Sequence, residues 1–115
     1  MIRRSMKTVV FGLCAALFAA PALSREYLVV QKDRKFVMDG KEIAALQVKV
    51  GDTVSFQNSD PFIHNVFSES APNDFDLGAF PMNVAESHTF QHPGEVDVKC
   101  AMHGEMKMKI IVSAQ

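Results

Sequence analysis

Leu46-Gln47-Val48-Lys49-Val50-Gly51-Asp52-Thr53-Val54-Ser55-Phe56 is the stretch that decides the fold. Apolar residues occupy every second position from Leu46 to Val50 and again at Val54 and Phe56, with Gly51-Asp52 between the two runs. Period two is the spacing of a strand that buries one face, and a Gly-Asp pair between two such runs marks a turn. An α-helix would place Leu46 and Val48 on opposite sides, leaving no apolar face to bury.

The same alternation recurs outward from this stretch. Val96, Val98 and Cys100 alternate with Glu95, Asp97 and Lys99, and Glu26 to Val30, Val84 to Phe90 and Met108 to Val112 read as further strands. Asp39-Gly40, Asp60-Pro61, Ala71-Pro72-Asn73 and Pro93-Gly94 supply the turns, while Asp74 to Gly78 reads equally well as loop. A short helix is expected near Lys41 to Ala45, and no long amphipathic helix is visible. Short strands separated by turns predict an all-β, Greek-key antiparallel β-sandwich of about seven to eight strands.

The N-terminus reads differently. Arg3, Arg4 and Lys7 precede an apolar run from Val9 to Ala20, and small residues follow around Pro21 to Ser24. That order is the one a secretory signal peptide requires, and the run is short for a membrane-spanning helix. Residues 1–24 are therefore expected to be removed, after Ser24 or alternatively after Ala22, leaving one domain over residues 25–115 and a periplasmic protein. Cys14 lies in the middle of the run, the wrong place for a lipid-modified N-terminal cysteine, so no membrane anchor is expected. The three basic residues leave with the segment, and nine Lys and Arg then face 13 Asp and Glu, a formal charge of −4. That balance disfavours nucleic acid as a partner. Cys100 is the one cysteine left, which excludes a disulfide framework.

The chemistry sits in Cys100-Ala101-Met102-His103-Gly104-Glu105-Met106. Alone, Cys100 at a buried strand position would be an inert core thiol. His103 and Met106, three and six residues on, change that reading if the chain turns after Ala101, which Gly104 makes easy. His64, following Asp60-Pro61 and opening the apolar pair Val66-Phe67, is the best second histidine. Two imidazoles, a thiolate and a weak thioether are the composition of a trigonal blue-copper centre. A zinc site remains an alternative for the Cys and His ligands, but the methionine suits a softer metal. Met108 competes with Met106 as the axial ligand; Met106 is favoured because Met108 fits the core face of a closing strand with Ile110 and Val112.

The sequence resembles the cupredoxin (type 1 blue copper) family, in particular its small amicyanin-, pseudoazurin- and plastocyanin-like members. The resemblance rests on Val48 to Asn58, His64-Asn65-Val66, Phe90-Gln91-His92-Pro93-Gly94 and the Cys-x-x-His-x-x-Met spacing, and it covers essentially the whole mature chain. It implies one type 1 copper per chain, held by His64, Cys100, His103 and Met106, in a non-enzymatic, monomeric one-electron carrier. The implied partners are transient redox donors and acceptors, which meet the imidazole of His103 through an apolar patch of Gly104, Met102, Phe62 and Pro61. Glu69, Asp74, Asp76 and Glu105 are candidates for steering a basic partner. It also implies that Asn65 ties the His64 strand to the Cys100 loop. Met102 stands where relatives often have proline, so its N–H is expected to reach the Cys100 sulfur. His88 and His92 are expected at the surface. Copper storage, delivery or resistance is the alternative function.

Overall fold

The computed structural model describes residues 23–114. The expected signal segment, apart from its last two residues, lies outside them, and so does Cys14. The strands, in chain order, are β1 (Glu26–Lys32), β2 (Lys35–Met38), β3 (Lys41–Glu42), β4 (Ala45–Lys49), β5 (Thr53–Asn58), β6 (His64–Ser68), β7 (Phe75–Phe80), β8 (Ala85–Thr89), β9 (Gly94–Lys99) and β10 (Lys107–Ser113). They form two five-stranded sheets, ordered β3-β2-β1-β5-β8 and β4-β10-β9-β6-β7. The expected β-sandwich is therefore what the chain forms.

Alternation decides which side chains meet between the sheets. Val29, Phe36, Val54 and Phe56 from the first sheet face Val48, Val66, Val96, Val98, Ile110 and Val112 from the second, all of them buried. Phe56 links the layers, lying edge-on to Phe36 at 6.0 Å between centroids and stacked on Phe75 at 6.5 Å. Fully burying one such aromatic or aliphatic side chain stabilises the fold by about 1.5–3 kcal/mol.

The Gly51-Asp52 turn joins strands of different sheets, so it is a corner of the sandwich and not a hairpin. Gly51 takes a φ of 95°, which favours glycine, and its N–H donates to the carbonyl of Phe90 at 2.8 Å. Asp52 completes the corner: its carboxylate accepts the N–H of Lys49 and the N–H of Arg25, each at 2.8 Å. Burial alone would raise the Asp52 pKa. The two backbone hydrogen bonds and the nearby charges of Arg25 and Lys49 outweigh it and hold the carboxyl below its ordinary value.

Four features differ from the sequence reading. The described residues hold ten strands and not seven to eight, and they contain no helix; Lys41 to Ala45 supplies β3 and the start of β4. Asp39 and Gly40 both have positive φ, at 52° and 77°, the geometry of a two-residue hairpin turn between β2 and β3. Asp74 to Gly78 contributes to β7, whose pairing with β6 shifts register between Asn65 and Phe67, opposite a Gly78 with φ of 74°. This bulge breaks the period-two pattern and hides the strand. Finally, β1 pairs with β5, and β4 with β10, in parallel, so the sandwich is not purely antiparallel.

Candidate metal centre

Adjacent antiparallel strands bring the site together. Phe67 of β6 pairs with Lys99 of β9, so the first residue of β6, His64, and the residue after β9, Cys100, reach the same end of the second sheet. His64 is fully buried and Cys100 is 2% exposed. The loop after Cys100 is closed by two backbone hydrogen bonds, from Met106 N–H to the His103 carbonyl at 2.9 Å and from Cys100 N–H to the Met106 carbonyl at 3.2 Å. These fold His103 back over the cysteine. Gly104 is not among the glycines with positive φ, so the hydrogen bonds, and not a glycine-only conformation, make the turn.

The donor atoms converge. Nδ1 of His64 lies 3.7 Å from Sγ of Cys100, and Nδ1 of His103 lies 3.9 Å from the same sulfur. One donor atom from each of the three residues falls within 4.8 Å of the others. Metal–nitrogen and metal–sulfur bonds of about 2.0 and 2.3 Å, opening roughly 110–120°, place N and S about 3.5–3.7 Å apart, within a few tenths of an ångström of both distances here. The spacing therefore fits one ion held between them. Two imidazoles and a thiolate suit copper or zinc, and a thioether beside them favours the softer choice. Met106 is 1% exposed and sits in the loop immediately before β10. Met108, also buried, pairs with Val98 inside the ladder and faces the core.

The surroundings hold the donors in place. The N–H of Ala101 donates to Oδ1 of Asn65 at 2.7 Å, tying the cysteine loop to β6 as expected. The side-chain amide of Gln31 reaches the Asn65 carbonyl at 3.4 Å. Asn58 braces the loop before His64: its amide donates to the carbonyls of Phe62 and Phe80 at 2.8 and 3.0 Å, and its oxygen accepts the N–H of Asp60 at 2.8 Å. Phe62 packs against both His64 and His103, each at 5.2 Å between ring centroids, and the guanidinium of Arg34 lies over its ring at 5.3 Å. No hydrogen bond joins the Met102 N–H to the Cys100 sulfur, contrary to the sequence expectation; that residue is 53% exposed.

Asp60 was legible in the sequence only as part of a turn. Its carboxylate is buried and receives three hydrogen bonds: from Asp33 N–H at 2.7 Å, from Arg34 N–H at 3.0 Å, and at 2.6 Å from Nε2 of His64. Burial by itself would raise its pKa; the bonds from His64, Arg34 and Asp33 and the His64 charge outweigh that and keep it below the ordinary carboxylate value. An acidic residue four positions before a candidate ligand histidine was the available signal.

The other histidines lie elsewhere. His92 is exposed, as expected. His88 is not a plain surface residue: it is half-buried, stacked on Phe75 at 4.4 Å with an interplanar angle of 16°, and burial lowers its pKa.

Residues 27–114 match the family described as copper binding proteins of the plastocyanin/azurin family. Amicyanin-alpha of Methylorubrum extorquens is 30% identical over 104 residues, which span 88% of this chain and 82% of that protein. Among solved structures, a Cu(I) form of an amicyanin variant is similar with a TM-score of 0.66 at 27% identity, covering 86% of this chain and 89% of that one. A copper-containing nitrite reductase from Thermus scotoductus has a TM-score of 0.67 at 25% identity; the match covers 83% of this chain and 23% of that chain.

Proposed function

Because the chain belongs to the plastocyanin/azurin family of copper-binding proteins, we propose that it is a periplasmic one-electron carrier that holds one type 1 copper between His64, Cys100, His103 and Met106. The observation that carries this reading is the convergence of Nδ1 of His64, Sγ of Cys100 and Nδ1 of His103 at one buried end of a rigid sandwich. Copper, when bound, supplies the Cu(II)/Cu(I) couple. The protein supplies a ligand set fixed by strand ends and by the Asn65 and Asn58 hydrogen bonds, so little needs to move when the charge at the site changes. Met106 is the fourth ligand in this reading, because its backbone closes the Cys100 loop while Met108 belongs to the core.

A carrier also needs a short route to its partners. His103 is only partly buried, and Phe62 packs on its ring while Met102 and Ile63, 53% and 48% exposed, leave an apolar surface at this end. Transient redox partners meet the protein here, and the protein works as a monomer. With four protein ligands the site keeps no position for a substrate, which separates this function from an enzyme's.

The test is to load the purified protein with Cu(II) and record its visible spectrum. An intense thiolate-to-copper band that disappears in Cys100→Ser is the expected result, and a colourless protein refutes the reading. Retention of copper against a chelator through repeated reduction and oxidation marks a carrier. Ready loss of Cu(I) marks a delivery or storage protein instead.

A further inference from the structure

We propose that Asp60 is a positioning residue for this copper site: its buried carboxylate fixes the His64 imidazole with the proton on Nε2, turns Nδ1 toward the metal, and favours Cu(II) over Cu(I). The proposal rests on the copper reading given above.

The geometry supplies the first half. Oδ1 of Asp60 accepts the Asp33 N–H, and Oδ2 accepts the Arg34 N–H. Both donors are backbone groups and cannot reverse roles, so the carboxylate presents an acceptor to whatever faces its remaining lone pairs. What faces Oδ2 is Nε2 of His64, at 2.6 Å. A proton on Nε2 leaves the lone pair of Nδ1 directed at the Cys100 side, where Sγ lies 3.7 Å away. This is the arrangement in which a carboxylate orients a metal-binding imidazole and raises its basicity.

The second half follows from charge. The Asp60 side chain is 4% exposed, and its ion-pair partner is His64 itself; among the described residues no Lys or Arg side-chain nitrogen lies within 4.0 Å of it. The field of this carboxylate therefore falls on the imidazole with little screening. Cu(II) carries one more positive charge than Cu(I), so a fixed negative charge behind the ligand stabilises the oxidised form more.

Asp60 also holds a costly turn. Asp33 and Arg34, which link β1 to β2, both have positive φ, 52° and 58°, without being glycine, and both donate to this carboxylate. A residue that only secured that turn would change stability when replaced and leave the metal's preference alone. The two roles are separable by a potential.

Asp60→Asn keeps the side-chain shape and one acceptor oxygen while removing the charge. In the copper-loaded protein the thiolate-to-copper band should persist, and affinity for Cu(II) should fall about tenfold more than affinity for Cu(I). That ratio is a rise in reduction potential of about 59 mV. An unchanged or lowered potential with the band intact overturns the proposal. Nitrogen-15 NMR of the histidines in the metal-free wild-type protein is the second measurement, independent of how the variant folds. A proton on Nε2 of His64, hydrogen-bonded to the carboxylate, is expected; a proton on Nδ1 alone overturns the proposal. Absence of the thiolate band from the wild type would instead fault the copper reading, so the two failures are distinct.

Discussion

Replacing Asp52 by alanine tests whether the corner between the sheets is held as the structure indicates. Asp52 is 3% exposed and accepts two backbone N–H groups, from Arg25 and Lys49, each at 2.8 Å. A hydrogen bond to a charged acceptor contributes about 1.5–3 kcal/mol. Asp52 sits at the rim of the sandwich, where solvent screens its charge, so the lower figure applies to each bond and Asp52→Ala should cost about 3 kcal/mol. For a domain of this size about 1 kcal/mol corresponds to 4–8 °C, so the melting temperature should fall by about 12–24 °C. The sign with pH follows from the lowered carboxyl pKa. The unfolded chain titrates near 3.9, and the folded chain below that. The stabilisation is complete above the unfolded value and is lost as pH falls through the folded one. Melting curves of the metal-free wild type and variant between pH 7 and pH 3 should therefore converge below about pH 4. A gap under 1 kcal/mol at pH 7, or one that widens on acidification, refutes the account. Asp52 and the loop before His64 lie at opposite ends of β5, so the copper spectrum of the variant should be unaltered.

Met106→Leu should raise the reduction potential and shift the thiolate band, because the weak thioether donor is gone. Met108→Leu conserves volume in the core, should cost under about 1.5 kcal/mol and should leave the spectrum as it was; the opposite pattern would exchange the two methionines. Asn65→Ala removes the acceptor for Ala101 N–H, so stability should drop by about 1 kcal/mol and a chelator should strip copper faster; equal retention would show that the loop is held by other contacts.

The sequence carried most of the architecture where alternation was unbroken. Val48, Val54, Phe56, Val96 and Val98 fell on the strands and buried faces that their spacing indicated, and Cys100, one residue beyond β9, was read as inward-facing from register alone. Legibility failed where a local device interrupts the period. Gly78 and the β6–β7 bulge hid β7, and the Asp39-Gly40 hairpin joins strands too short to show alternation. The parallel pairings were invisible because period two reports which face is buried and not which strand lies alongside. In the site, Cys100, His103 and Met106 are neighbours in sequence and could be grouped by spacing. The contact of Asp60 with His64 depends on how the chain bends through Pro61, and the hydrogen bonds of Asp33 and Arg34 depend on a hairpin in the other half of the chain.

The position of β10 has a consequence for the order in which the molecule can assemble. This last strand lies between β4 and β9, and β4 has no other partner in its sheet. The hydroxyl of Ser113 donates to the carbonyl of Val48 across 65 positions of sequence. Closing such a distant pair is slow, and it cannot begin until β10 is synthesised. Every earlier length of chain leaves the second sheet split, with β4 detached and the Cys100 loop anchored at one side only. The proposed copper site can therefore be completed only once β10 has docked, and a chain truncated before β10 would carry the Cys100 thiol without the strand that joins its loop to β4.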